Sequence, residues 1–339
     1  MQSGSNHGSL LIDLEGELLT AEEGGLLSQP SVAGVVLFTR NYQSRKQLTA
    51  LVSAIRDIRS DLLICVDQEG GRVQRFKNGF TDLPPARAYG DFDLDQQYYI
   101  TRESGWLMAS ELLACGVDLC LGPVLDIDHG KISIVGDRAF GRSAEQVIHL
   151  ASLWIDGVHE AGMSVVVKHF PGHGNVDADS HVSLPLDERT LDEIWHSDME
   201  PFQFMIQKGV EALMPAHIQF PLIDQHPVGY SSEWLKGILR NQLAFEGVVI
   251  SDCLSMEGAA KTGSYPDRAR AALDAGCDLL IICNRQGVLD VLDEIDSTCL
   301  QGAGSDELMP ESYVDRESLK SSERYQKVRT MLSETFGTG

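Results

Sequence analysis

The chain has 339 residues, of which 43% are hydrophobic and 23% charged, and this is enough to form one large domain or two ordinary ones. Its 27 Lys and Arg against 50 Asp and Glu give a formal net charge of −23, and because such an acidic surface repels phosphates, it argues against a nucleic-acid or membrane partner. The seven cysteines are scattered and form no CxxC pair, which favours free thiols in a reducing compartment. The N-terminus is polar and has no signal-peptide pattern, and the apolar runs are too short to span a bilayer, so we expect a cytoplasmic protein.

Eight short apolar runs recur along the chain, and each ends in polar or charged residues. The runs are continuous rather than alternating, as expected for parallel strands that are covered on both faces. They comprise residues 10–13, 35–38, 62–67, 117–121, 165–168, 212–214, 248–251 and 279–283.

Helical patterns lie between most of these runs. Thr190 and Glu193 form a capping-box pattern, and Pro266 is placed to begin a helix that ends at Gly276. Eight strand–helix units predict an α/β fold, a single-domain (β/α)8 barrel over residues 1–301. A doubly wound open sheet is the alternative, but no GxGxxG motif follows the first run. Residues 302–339 are predicted to be a linker and a C-terminal helix (316–336) that packs on the barrel or extends from it.

Polar or ionisable side chains follow five of the eight runs. In a barrel the carboxyl ends of all strands meet at one face, so these side chains should converge there. Any one carboxylate could instead be a helix N-cap, but five such coincidences make that reading a poor account of the set. The residues are Asp67, Gln68 and Glu69 after the third run, Asp126 and Asp128 after the fourth, Lys168 and His169 after the fifth, His217 after the sixth and Asp252 after the seventh.

The segment 168–181 contains a dense cluster of ionisable side chains, with three histidines, two aspartates and a lysine. Asp179 could fix the tautomer of His181 and raise its basicity, which is a general acid/base arrangement, although a surface turn explains the same spacing. Asp252, at a buried strand end without a neighbouring base, suits a nucleophile or a stabiliser of positive charge, and a helix cap is the alternative.

The histidines also raise the question of a metal. His169 and His173 have the spacing of zinc ligands on a helix, but Pro171 and Gly172 lie between them and no HExxH motif is present. We therefore expect no metal and no organic cofactor. Arg72, Arg75 and Arg138 are candidates to bind hydroxyls or a carboxylate of a ligand.

At these residues the chain resembles the β-N-acetylglucosaminidases of glycoside hydrolase family 3, and most of all the compact, single-domain cytoplasmic enzymes of cell-wall recycling. The matching segments run in the family's order over about residues 9 to 300. They are LFTRN at 37–41, VDQEGGRVQRF at 66–76, GPVLD at 122–126, KHFPGHG at 168–174, DSH at 179–181, MPAH at 214–217, and SD at 251–252 with LSM at 254–256.

The resemblance implies a retaining hydrolase that removes a terminal, non-reducing β-linked N-acetylglucosamine. The natural substrate it implies is a muropeptide in which that sugar is joined to anhydro-N-acetylmuramic acid. In this family's pattern Asp252 matches the nucleophile, His181 the acid/base and Asp179 its partner. The residues that match sugar-binding positions are Asp67, Arg75, Arg138, Lys168 and His169.

The chain departs from the pattern at two positions. Cys253 stands where these enzymes commonly have a second aspartate, and Asp177 is an extra acid that could compete with Asp179 for His181. Three alternatives stay open: a glycoside phosphorylase, a metal-dependent barrel hydrolase and a non-catalytic sugar-binding barrel. The sequence sets no oligomeric state, and a monomer is compatible with it.

Overall fold

The structure is a computed structural model that describes residues 7–131, 135–176, 184–260, 262–302 and 304–337. The predicted acid/base pair, Asp179 and His181, and the extra acid Asp177 lie outside these ranges.

Within the described residues, eight parallel strands form a ring. They are β1 Leu10–Asp13, β2 Val32–Leu37, β3 Leu63–Val66, β4 Leu119–Cys120, β5 Val166–Phe170, β6 Ala212–Pro215, β7 Val248–Val249 and β8 Leu280–Ile282. The strands β8-β1-β2-β3-β4 make one parallel sheet and β7-β6-β5 make the other. Parallel bridges from Cys120 to Val165 and from Ile250 to Leu279 join the two sheets at both edges, so the predicted barrel is confirmed.

Each strand buries both of its faces, which explains the continuous apolar runs. In β1, Leu11 belongs to a small cluster inside the barrel, whereas Leu10 and Ile12 face the larger cluster between strands and helices. The same alternation places Val36 of β2 and Val166 of β5 inside the barrel. Because side chains alternate across a strand, one register fixes which residues can reach the cavity at the strand ends.

The helices surround the barrel. The capping box of Thr190 and Glu193 is present, and Pro266 lies in the first turn of a helix that ends at Gly276, as predicted. The helical segments are Ala21–Leu27, Arg45–Ile58, Leu94–Leu113, Ala144–Glu160, Leu191–Trp195, Glu200–Lys208, Glu233–Gln242, Glu257–Ala260, Tyr265–Ala275, Arg285–Glu294, Arg316–Ser321 and Glu323–Phe336, with short 3-10 turns at Thr39–Asn41, Ala86–Asp91, Gly136–Arg138 and Val228–Tyr230.

Over its described residues, the C-terminal tail contains two helices rather than the single predicted one. Ser322 has extended backbone angles and its hydroxyl accepts a hydrogen bond from the backbone N–H of Tyr325, so it ends one helix and caps the next. The second helix packs on the helix Leu94–Leu113, where Arg324 pairs with Glu103 at 2.8 Å. The domain division after residue 301 stays a prediction.

In the part of the chain that the structure describes, four short strands lie outside the barrel ring. His7–Gly8 pairs antiparallel with Gln301–Gly302, and Gln68–Gly70 pairs with Val73–Gln74 just beyond β3. The hairpin formed by Gln68–Gly70 and Val73–Gln74 returns the chain, so the Arg75 backbone N–H donates to the Asp67 carbonyl at 3.3 Å. Among the described helices, none is long and apolar enough to cross a membrane.

Candidate active site

A cavity of about 520 Å³ lies at the carboxyl ends of the strands. The structure brings six of the eight predicted site residues to its wall, where strand ends from distant parts of the sequence meet. These six are Asp67, Arg75, Arg138, Lys168, His169 and Asp252. Phe38, Met214, Met256 and Ile281 give the cavity an apolar side.

Lys168 is the centre of a charged network in the cavity wall. Its Nζ lies 2.8 Å from Asp67 Oδ1 and 2.7 Å from Glu69 Oε1, and its side chain is only 3% exposed. The two carboxylates outweigh the effect of burial and raise the pKa of Lys168. Asp67 has a further cation, because Arg75 Nη2 lies 3.3 Å from its Oδ2. The network therefore keeps a permanent positive charge at the end of β5.

Glu69 binds the other predicted arginine. Arg138 donates from Nε and Nη2 to the two carboxylate oxygens of Glu69, each at 2.8 Å. Burial alone would raise the pKa of Glu69, but Lys168 and Arg138 together hold it well below its usual range. The sequence places Glu69 after the third run but does not assign it to the site, because residue spacing does not tell which carboxylate pairs with which cation.

His169 is oriented by Asp126. The His169 Nδ1 lies 2.8 Å from Asp126 Oδ2, and Asp126 Oδ1 accepts the backbone N–H groups of His169 and His173 at 3.2 and 2.8 Å. Burial would raise the pKa of Asp126, but His169 and these donors outweigh it and lower the pKa. With Nδ1 held by the carboxylate, the other ring nitrogen, Nε2, is left to face a ligand. Asp126 is thus a positioning group that the predicted site lacked.

His173, buried beside His169, is neutral. The two rings meet edge to face with centroids 5.9 Å apart, and burial lowers the pKa of His173 to about 4. Within the described ranges, no cluster of three or more His, Cys, Asp or Glu is arranged to hold a metal ion.

Asp252 follows β7 and is half-buried. Its Oδ1 accepts the backbone N–H of Cys253 at 2.7 Å. Burial would raise the pKa of Asp252, but His217, His169 and the Cys253 N–H favour the charged form and lower it. Asp252 is therefore an ionised carboxylate at neutral pH, which suits a nucleophile.

His217 lies behind Asp252 and supports the strand end. Its Nε2 is 3.1 Å from the Cys253 carbonyl oxygen, and its ring stacks on Tyr230 at 5.7 Å. Burial lowers the pKa of His217 although the Asp252 carboxylate opposes this, and Nε2 donates to the carbonyl. The sequence placed His217 at the same face but did not predict this supporting role.

Comparison with known proteins decides the family. The family model described as "Glycosyl hydrolase family 3 N terminal domain" matches residues 11–314. The chain belongs to glycosyl hydrolase family 3. The predicted family resemblance is confirmed, and the chain is a glycoside hydrolase.

Several relatives in this family are similar over nearly their whole length. A protein named "Beta-hexosaminidase" from Haemophilus influenzae (strain Rd) is 48% identical over 294 residues, covering 86% of this chain and 84% of that protein. A protein of the same name from Tolumonas auensis is 46% identical, covering 96% and 97%. The crystal structure of native NagZ from Neisseria gonorrhoeae is 38% identical, with a TM-score of 0.89, and the alignment covers 97% of this chain and 98% of that one.

Proposed function

We propose that this family 3 hydrolase is an exo-acting, retaining β-N-acetylglucosaminidase that removes terminal, non-reducing β-linked N-acetylglucosamine. Its β-N-acetylhexosaminidase activity follows from full-length relatives named "Beta-hexosaminidase" at up to 50% identity. Preference for N-acetylglucosamine is supported by the gonococcal NagZ, which is 38% identical and was crystallised with N-trifluoroacetyl-D-glucosamine. The observation that carries the proposal is an ionised Asp252 in the same cavity as the network around Lys168.

The proposed reaction has two displacements at the anomeric carbon. Asp252 attacks that carbon and forms a covalent glycosyl-enzyme, while His181, held by Asp179, gives its proton to the leaving oxygen. His181 then takes a proton from water, which attacks the same carbon and releases Asp252, so the anomeric configuration is retained. A histidine suits this double role because its ordinary pKa of about 6.5 lets it act as acid and base near pH 7.

The network around Lys168 is proposed to bind the sugar. Asp67 can accept hydrogen bonds from sugar hydroxyls, and Lys168, Arg75 and Arg138 can donate them. His169, with Nδ1 held by Asp126, presents Nε2 to a hydroxyl. Because these groups are fixed by one another before substrate arrives, little side-chain entropy is lost on binding.

We further propose that the natural substrate is the muropeptide N-acetylglucosaminyl-anhydro-N-acetylmuramic acid, cleaved in the cytoplasm during peptidoglycan recycling. The similarity to NagZ structures over 97% of the chain supports the substrate. All seven cysteines lie in the described residues and are free thiols, and this supports a reducing compartment.

The test compares hydrolysis of nitrophenyl N-acetyl-β-glucosaminide, nitrophenyl β-glucoside and the anhydro-muropeptide. We expect turnover of the first and third and much slower turnover of the glucoside. Faster turnover of the glucoside would contradict the N-acetyl preference, and an untouched muropeptide would contradict the recycling role. Formation of a sugar 1-phosphate in phosphate buffer, in place of free sugar, would favour the phosphorylase alternative.

A further inference from the structure

Two of the seven cysteines lie together at the wall of the active-site cavity. Cys253 follows β7 and Cys283 follows β8, and both line the cavity. The two strand ends are fixed side by side, because the Leu254 N–H donates to the Ile281 carbonyl at 2.8 Å. The thiols of Cys253 and Cys283 are hydrogen-bonded to each other. Neighbouring barrel strands are therefore holding two thiols in contact.

The two thiols differ in acidity. The sulfur of Cys253 receives hydrogen bonds from the Cys283 thiol and from the backbone N–H groups of Ser255 and Cys283. These donors outweigh burial and lower the pKa of Cys253, while the same contact raises the pKa of Cys283 well above its usual range. Cys253 is thus suited to be the attacking thiolate and Cys283 the thiol that responds.

The other cysteines lack this combination. Cys65, Cys115, Cys120 and Cys277 are buried, and burial raises the pKa of each thiol, in Cys120 to about 12. Cys299 is exposed but is not among the residues that line the cavity. Among the described cysteines, Cys253 and Cys283 are therefore the pair at which an oxidant in the cavity meets a reactive thiol beside a second thiol.

We propose that Cys253 and Cys283 are a reversible dithiol–disulfide site that an oxidant of the hydroperoxide class closes, and that closure lowers the hydrolase activity. The Cys253 thiolate attacks hydrogen peroxide, breaks its O–O bond and becomes a sulfenic acid while hydroxide leaves. The Cys283 sulfur then attacks the sulfenic sulfur, the S–S bond forms and the S–OH bond breaks. The hydroxyl leaves with the Cys283 proton as water. In sum two thiols and one peroxide give one disulfide and two waters.

The effect on turnover follows from the contacts of Cys253. Its N–H holds Asp252 Oδ1 at 2.7 Å and its carbonyl lies 3.1 Å from His217 Nε2. A disulfide shortens the contact between the sulfurs to about 2.05 Å, so Cys253 must move toward β8 and away from these positions. Because this N–H orients the reacting carboxylate, its displacement misplaces the nucleophile, and we expect turnover to fall about tenfold or more. This consequence rests on the proposed role of Asp252, whereas formation of the disulfide does not.

The experiment treats the reduced, full-length enzyme with hydrogen peroxide, blocks remaining thiols with N-ethylmaleimide and maps disulfide-linked peptides by mass spectrometry. Turnover of the nitrophenyl N-acetyl-β-glucosaminide is measured on the same sample before and after dithiothreitol. For the wild type we expect a Cys253–Cys283 linked peptide, about tenfold lower turnover and full recovery with dithiothreitol.

Two variants complete the test. Cys283→Ser should not give the linked peptide, because oxidation of Cys253 then stops at the sulfenic acid. The exposed-site control Cys299→Ser should behave as the wild type. Absence of the linked peptide in the wild type would overturn the site, and a linked peptide with unchanged turnover would overturn its effect on activity. The proposed function fails separately, if Asp252→Asn keeps its turnover while the linked peptide still forms.

Discussion

Replacing Lys168 with methionine removes the ammonium that bridges Asp67 and Glu69. The side chain is 3% exposed and two carboxylates lie within 2.8 Å of Nζ. Glu69 keeps both hydrogen bonds from Arg138, but Asp67 keeps only Arg75, at 3.3 Å. Removing one partner of a buried ion pair costs about 3 to 5 kcal/mol. Since Glu69 stays paired, we expect the lower end, about 3 kcal/mol of unfolding free energy.

The same change should weaken substrate binding in the transition state. Hydrogen bonds that involve a charged group contribute about 1.5 to 3 kcal/mol, so kcat/KM should fall about 10- to 150-fold. The matched control is Lys208→Met, which breaks an ion pair with Asp156 at 2.8 Å on the surface, where the two side chains are 28% and 44% exposed. A surface pair contributes about 0 to 1 kcal/mol.

Urea unfolding gives the stability of both variants, and steady-state kinetics on the nitrophenyl N-acetyl-β-glucosaminide gives kcat/KM. The reasoning would be refuted if Lys168→Met were as stable as Lys208→Met, because the network would then be no stronger than a surface pair. Unchanged kcat/KM in a folded Lys168→Met enzyme would refute the binding role.

Three further changes probe other parts of the site. The lowered pKa of Glu69 means that its carboxylate stabilises the folded protein above the ordinary carboxyl pKa of 4.5, and this stabilisation is lost as pH falls toward the lowered folded value. Between pH 6 and 3, Tm should therefore fall less steeply in Glu69→Gln than in the wild type. An identical slope would contradict this. Asp126→Asn leaves the buried His169 ring and two backbone N–H groups without a carboxylate and should cost about 2 to 3 kcal/mol in urea unfolding. An unchanged unfolding free energy would contradict this. His181→Ala should slow substrates with poor leaving groups much more than nitrophenyl substrates, which need little acid help, and equal losses would rule out the acid role.

The barrel and the face that holds its site could be predicted because they depend on one-dimensional patterns. Strands covered on both faces need continuous apolar runs, and parallel strands place all their carboxyl ends together. Asp67, Lys168, His169 and Asp252 follow from this topology alone. The break at Ser322 is not predicted because no glycine or proline interrupts residues 316–336, and the backbone angles of that serine reveal the cap.

The pairing of charges inside the site could not be predicted. Asp126 turns its carboxylate toward His169 and two backbone N–H groups. Glu69 lies between Arg138 and Lys168, although 99 positions of sequence separate Glu69 from Lys168. Such choices depend on distances of a few ångströms and on side-chain rotamers, which residue spacing does not encode. The contact between Cys253 and Cys283 belongs to the same class, since it needs the register of β7 against β8.

The covalent glycosyl-enzyme is the most direct test of Asp252. Incubation with 5-fluoro-N-acetyl-β-glucosaminyl fluoride should trap it, because ring fluorine slows hydrolysis of the intermediate while the good leaving group lets it form. Peptide mapping should then find the sugar on Asp252. A sugar on another side chain, or an inverted anomeric product from the unfluorinated substrate, would contradict the account.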